Sequence, residues 1–389
     1  MKKIHKRIFS LFLAVVMAFS LLPATAWAYT GDLDTSEFGD PVGTATLGEG
    51  TGLQYTLYVI TKLEGSTFTL VISKEDDASG DDSFQIPNYA GYDEVPWSGN
   101  MHLITNVYIQ DGVKGIGSYA FAHDPSIGDN LSYIEIPSSV NFIGDYAFAN
   151  HTLAAFDDDG DGAGDAALDL SNVTQMGDHA FYNCDTITSV TLNGQLNCGL
   201  DAENEDYCKI PAYAFYGCNL TDFTLEGTSD ITAIGAYAFA GNRLTSVSLP
   251  EGVTTIEERA FSANNAISSI SLPSSLVTIG DYAFYCALGA ANENLQSLTI
   301  PENVTSIGAW AFHNYQGLAT VKVDSAKLTG NDAVKEGAFG KDQSNAYHNL
   351  NGTIEDDVTG ETITGLVLGT EFQTPNDDVA AQFRDGYNC

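Results

Sequence analysis

The chain has 389 residues, 44% of them apolar, with 19 Tyr and 20 Phe, which is enough for a packed core and too apolar for a disordered chain. Its 51 Asp plus Glu against 15 Lys plus Arg give a formal net charge of −36. That sign excludes nucleic acid as a partner and repels anionic membrane surfaces.

At the N-terminus, Lys2, Lys3, Lys6 and Arg7 precede an apolar run of fifteen residues over 8–22, then Pro23 and the small-x-small element Ala26-Trp27-Ala28. This is the pattern of a secretory signal peptide over residues 1–28, cleaved before Tyr29. The run is shorter than the ~18 residues of a membrane helix, and no later run approaches it, so the mature chain is expected to have no membrane span. Cleavage removes four basic and no acidic residues, leaving 11 basic against 51 acidic and a net of −40. The chain ends Asp385-Gly386-Tyr387-Asn388-Cys389, without sorting motif or apolar tail, and is expected to be secreted or loosely held at the cell surface.

Residues 29–102 read as an N-terminal β cap, with strands over 55–60 and 68–72 turning near Glu64-Gly65 and an acidic loop over 75–82. Beyond it, nine Ala-Phe dipeptides share one frame, with Phe at 121, 148, 181, 215, 239, 261, 284, 312 and 339. Five residues before each Phe stands an apolar residue: Ile116, Ile143, Met176, Ile210, Ile234, Ile256, Ile279, Ile307 and Val334. Gly follows it at 117, 144, 177, 235, 280 and 308, where the backbone needs positive φ or close approach to the next coil. Between successive dipeptides runs Leu-x-x-Val-x-Leu, often with Pro next, as in Leu244, Val247, Leu249 and Pro250. The alternation predicts one short strand per coil, then a corner and a tight turn holding Ala-Phe. So small a unit cannot bury its own apolar edge, so the coils must stack into a β-rich solenoid of about nine coils over residues 103–339, its parallel strands about 4.8 Å apart. The Phe column forms its core, each ring stabilising by roughly 1.5–3 kcal/mol on burial.

Two spacings are long. The 33-residue gap holds Asp157, Asp159, Asp161, Gly162 and Asp165, which match positions 1, 3, 5, 6 and 9 of a calcium loop. Position 12 is Leu168 where a bidentate Glu belongs, so the loop reads either as a Ca²⁺ site or as an acidic, Gly-loosened surface insertion. No other cofactor is expected. The 34-residue gap holds Cys198 and Cys208, whose disulfide would staple the insert at its base. Cys184, Cys218 and Cys286 read as buried free thiols. Residues 340–389 leave the repeat, keep a strand over 362–368, and form a C-terminal cap or tail.

Two columns are candidate binding surfaces. Tyr119, Tyr146, Tyr213, Tyr237, Tyr282 and Trp310 precede Ala-Phe and align as an aromatic stripe suited to protein contacts or sugar stacking. Thr191, Thr224, Ser248, Ser271 and Thr299 stand at the outward strand position as a hydroxyl ladder. The alternative is that the rings cover neighbouring coils and the hydroxyls are ordinary strand surface. His102, His123, His151, His179, His313 and His348 are scattered, and no nucleophile elbow, zinc helix or phosphate loop is present, so no catalytic residue is assigned and the chain is expected not to be an enzyme.

The Ile-Gly-x-Tyr-Ala-Phe and Leu-x-x-Val-x-Leu-Pro motifs together resemble the BspA-type leucine-rich repeat of secreted and surface bacterial proteins. The resemblance covers about residues 103–339 and extends to Pro96-Trp97 and to a first repeat with Ile104, Val107, Ile109, Asp111, Gly112 and Val113. It implies a leucine-rich-repeat solenoid serving adhesion or protein recognition, with no shared catalytic residues. The expected partner is an extracellular protein or cell-surface glycoprotein, bound by a monomer. The alternative is a glycan-binding or accessory module of a carbohydrate-degrading system, with or without Ca²⁺.

Overall fold

The computed structural model describes residues 40–47, 52–62, 65–74, 84–152, 155–157, 167–198, 208–227, 229–286, 291–328, 333–335, 337–340, 353–356, 362–364 and 371–374. The segment 1–28, the acidic loop over 75–82 and most of the tail lie outside these residues.

Three antiparallel strands open the fold: β1 (Asp40–Thr46), β2 (Leu53–Lys62) and β3 (Gly65–Lys74), with Lys62 opposite Gly65 at the turn. β3 then pairs in parallel with β4 (Ile104–Ile109), so the hairpin and the first repeat share one sheet. From β4 onward the chain is a solenoid whose coils are joined on three sides.

The first side is a long row of parallel strands, the long ladder, divided among four hydrogen-bonded sheets. It carries Tyr133–Glu135 and Ala155–Asp157 after β4, then Ala167–Leu170, Ser189–Asn193 and Asp222–Glu226, then Ser246–Ser248 and Ser269–Ser271, then Ser297–Ile300 and Thr320–Val323. Val190, Val247, Leu298 and Val321 point into the core while their neighbours point out, the alternation a half-buried strand requires. At the far end Glu371–Thr374 adds in parallel to Thr320–Val323. The strand predicted over 362–368 is observed as Thr362–Thr364, antiparallel to Thr353–Asp356.

The second side is a ladder that the sequence pattern did not resolve. The apolar step before each Gly is itself a two-residue parallel strand, from Gly115–Ile116 through Lys209–Ile210 to Ser306–Ile307. Close approach, not φ, explains the Gly column. None of the six has a positive φ, and a Cβ on Gly280 would stand 2.7 Å from the carbonyl carbon of Glu257 in the preceding coil.

The third side is made by the Ala-Phe turns. Alternate amides close local turns, and the amides between them donate to the next coil: Tyr213 to Ala236, Phe215 to Ala238 and Gly217 to Ala240, each at 2.9 Å. Aiming them in one direction requires a left-handed residue two before each Phe, where φ runs from 55° at Tyr146 and Arg259 to 65° at Gly337. A second left-handed position follows two after Phe, filled by Asn150, Asn183, Gly217, Gly241, Ala263 and Asn314. Ala263, at φ 60°, has no side-chain hydrogen bond to offset the roughly 1–2 kcal/mol that an L-residue loses there. Ala263→Gly is therefore expected to stabilise the protein by about 0.5–1 kcal/mol after glycine's chain entropy is deducted, read as a higher urea midpoint.

Inside, Trp97 begins a face-to-face spine, 5.6 Å from Phe121. The spine continues through all nine repeat Phe rings at centroid spacings of 5.0–5.7 Å.

Candidate recognition surfaces

On the long ladder the outward residues stand in register. Thr191 faces Asp169 on one side and Thr224 on the other, Ser248 faces Ser271, and Thr299 faces Lys322. Thr191 is half-buried and the other four hydroxyl residues are exposed. Ser248, Ser271 and Thr299 with Ser246, Ser269 and Ser297 form an uncharged field over three coils. Asp222 and Glu226 border it towards the N-terminus, and the Lys322–Asp324 ion pair, at 2.7 Å, towards the C-terminus. Folding uses the backbone of these strands and leaves their outward side chains to solvent.

The aromatic column is different. Tyr119, Tyr146, His179, Tyr213 and Tyr237 stack face to face at 4.9, 4.3, 4.4 and 4.5 Å. Arg259 then lies over both Tyr237 and Tyr282, its guanidinium carbon 5.6 and 4.3 Å from the ring centres, and Tyr282 stacks on Trp310 at 6.2 Å. His179 and Arg259, which the Tyr/Trp pattern passed over, fill its two gaps because both are flat and stack. Within the column, ring faces between neighbours are thereby covered. Edges and hydroxyls meet solvent, and between Tyr146 and Tyr282 the column offers no free ring face for a sugar.

Burial between Tyr146 and Tyr213 pulls the His179 imidazole below its usual pKa, against the opposing pull of Asp178 and Asp145. The unfolded chain therefore takes up this proton first as pH falls. The contribution of neutral His179 is complete above about pH 6.5 and is lost as pH drops towards the depressed folded value. Replacing His179 by Tyr is expected to flatten the fall in thermal midpoint between about pH 7 and pH 5.

Three residues after Phe, where the sequence places Cys184 and Cys218 at equivalent positions, lies a column that also takes in His151, Asn242 and Asn264. The Phe carbonyls point into the core, and each needs a donor. His151 Nε2 meets Phe121 O, Cys184 Sγ donates to Phe148 O at 3.0 Å, and Cys218 Sγ donates to Phe181 O at 2.9 Å. Asn242 donates to Phe215 O at 2.7 Å and Asn264 to Phe239 O at 2.8 Å. His, Cys and Asn share only a polar hydrogen, which no residue-type pattern reveals. The trio Asp129, His151 and Cys184 contains the residue types of a thiol catalyst, yet all three are committed to structure. Asp129 is 3.4 Å from His151 Nδ1 and accepts the Thr152 and Leu131 amides, and Cys184 is buried. Burial pushes the Cys184 thiol well above its usual pKa and Cys218 up to about 12, the reverse of an activated nucleophile.

Cys198 and Cys208 form a disulfide, and Cys184, Cys218 and Cys286 are free and buried. Asp157 closes the strand Ala155–Asp157. Asp159, Asp161 and Asp165 lie outside the described residues.

A family profile described as the BspA type leucine rich repeat region matches six copies over residues 99–158, 167–199 and 208–344. The chain belongs to the BspA-type leucine-rich-repeat family. The segments that the profile skips, 159–166 and 200–207, are the body of the acidic loop and the span closed by the disulfide. Among solved structures, a leucine-rich repeat protein from Eubacterium ventriosum is 19% identical over 77% of this chain and 74% of its own, with a TM-score of 0.41. One from Bacteroides ovatus is 17% identical over 72% and 74%, also at 0.41. A leucine rich cell surface protein from Faecalibacterium prausnitzii is 17% identical over 78% of this chain and 99% of its own, with a TM-score of 0.25. No curated protein sequence matches the chain.

Proposed function

We propose that this BspA-type protein is an exported, non-enzymatic recognition solenoid that binds an extracellular protein or cell-surface glycoprotein through the outward face of its long ladder. One observation carries the reading. Ser248 and Ser271 are exposed and in register on one parallel sheet, Thr299 is exposed on the next sheet opposite Lys322, and all three stand apart from the structural duties that absorb the aromatic column and the buried thiols. Rigid, regularly spaced hydroxyls present donors and acceptors at little entropic cost on binding. The family membership and the signal-peptide pattern support the same reading.

The test is binding of the purified protein to an array of extracellular-matrix proteins, mucins, glycans and bacterial cell walls, with calcium and with chelator. Saturable binding to a protein is the expected result. Silence from a protein whose fold is intact, or binding to free glycans alone, overturns the proposal. Loss in chelator would bring the Asp157 to Asp165 loop into the mechanism. Against the captured partner, the double variant Ser248→Arg/Ser271→Arg is expected to weaken binding at least about tenfold. Because both positions are exposed strand surface, the unfolding free energy should move by less than about 0.5 kcal/mol.

A further inference from the structure

The two-residue ladder is interrupted between Gln175–Met176 and Lys209–Ile210, which belong to separate sheets. The side-chain amide of Asn197 fills the gap. Its Oδ1 accepts the Met176 amide at 2.8 Å, and its Nδ2 donates to Met176 O at 2.9 Å and to Lys209 O at 3.2 Å. Its own backbone N–H donates to Thr174 O at 2.8 Å. The residue is 9% exposed with φ 57°. The side chain thus stands in for a strand peptide, accepting from one coil and donating to both.

The turn that carries this amide is anchored on its N-terminal side by the buried Leu196 and by the Asn197 N–H, and on its C-terminal side by a covalent bond. Cys198 is bonded to Cys208. The Cys208 carbonyl in turn accepts the Thr232 and Ala233 amides of the next coil at 2.9 and 3.2 Å, and its N–H reaches Thr232 Oγ1 at 3.2 Å. The covalent bond therefore joins the residue after the substitute peptide to the residue that begins the following block. Other neighbouring coils on this ladder, such as Ala233–Ile234 and Thr255–Ile256, pair directly without such a link.

We propose that the Cys198–Cys208 disulfide is a redox-dependent clasp that keeps the Asn197 amide in the ladder. Reduction releases the amide and opens this one side of the solenoid, while the long ladder and the Phe spine continue across it. Cys198 is half-buried and Cys208 buried, so an external dithiol attacks the Cys198 sulfur. Its thiolate forms a mixed disulfide there as the bond between the two protein sulfurs breaks, and the Cys208 thiolate leaves and takes a proton. The second thiol of the reagent then displaces Cys198. The protein gains two electrons and two protons, and the dithiol leaves as a disulfide.

The Met176 amide reports directly on the joint, because its partner is Asn197 Oδ1. Hydrogen exchange of the full-length protein would be compared with and without dithiothreitol, with thiol titration confirming reduction. Met176 is expected to exchange at least about tenfold faster when reduced, while Gly280, bonded to Ile256 O in the same kind of ladder, is unchanged. In the oxidised Asn197→Ala variant the Met176 amide, deprived of its acceptor, should already show the fast exchange and gain nothing further on reduction. Equal Met176 protection in both redox states of the wild type overturns the proposal without recourse to any variant. So does a matching acceleration at Gly280, or an Asn197→Ala protein that still responds to dithiothreitol.

Discussion

Phe239→Ala is expected to cost about 3–5 kcal/mol of unfolding free energy, the range for truncating a fully buried Phe whose site cannot collapse. The ring is 0% exposed and is held on three sides, by Phe215 at 5.7 Å, Phe261 at 5.5 Å and Phe223 at 4.5 Å. Collapse is blocked because the backbone on either side is pinned. Phe239 N–H donates to Ala260 O at 2.8 Å and Phe215 N–H to Ala238 O at 2.9 Å. Repeat proteins behave as chains of units coupled to their nearest neighbours, so a weakened interface at the fifth repeat Phe divides the array. Urea unfolding followed by far-ultraviolet circular dichroism should show a lower first midpoint and a broader transition. A loss under about 1 kcal/mol would mean that the stacked rings are replaceable filler and that the three hydrogen-bonded sides alone hold the coils. Tyr237→Ala, one coil-face outward and half-buried, is expected to cost less because its ring leaves a surface gap that water fills.

The difference between these rings also marks where the sequence could be read. Nine Phe residues in one frame, with an apolar residue five before each, state the core, the direction of stacking and the strand faces. A repeat states each contact nine times. The hydroxyl column was legible for the same reason, since strand alternation places Thr191 and Ser248 outward whatever their neighbours do. What escaped the pattern were features defined by physics shared among unlike residues. His179 and Arg259 interrupt a column of Tyr by name and continue it by flatness. His151, Cys184, Cys218, Asn242 and Asn264 share one place in the repeat but not a residue type, and meet one requirement, a buried donor for a Phe carbonyl. The two-residue strands were too short to show a period. Asn197 was beyond reach because its partners Met176 and Lys209 lie on opposite sides of the second insert, and only the fold brings them to one amide.

Asn264→Ala is expected to destabilise the protein by about 3 kcal/mol, as much as losing a core ring, although it removes a small polar group. Asn264 is 1% exposed and serves three backbone groups: Nδ2 donates to Phe239 O at 2.8 Å and Phe261 O at 2.9 Å, and Oδ1 accepts the Leu244 amide at 3.0 Å. Phe239 O keeps a second donor, Asn242 Nδ2 at 3.0 Å, but Leu244 N–H and Phe261 O are left in the core, and a buried group deprived of its partner costs roughly 1–3 kcal/mol. The neighbouring coils supply the graded series. Cys184 and Cys218 satisfy one carbonyl each with a single weak donor, so Asn264→Cys should fall between wild type and Ala. Asn264→Asp keeps the acceptor for Leu244 but turns a negative charge towards two carbonyl oxygens, so it should be the worst of the set at neutral pH. It should recover as pH falls far enough to protonate the carboxyl, because protonation removes the repulsion and restores a donor. Urea midpoints at two pH values, measured for wild type and the three variants, test the order. If Ala lies within about 0.5 kcal/mol of wild type, the column does not act as a backbone satisfier. If the order holds, each coil's path is set by a buried donor, which explains how the strand face can carry variable hydroxyls and charges without altering the fold beneath them.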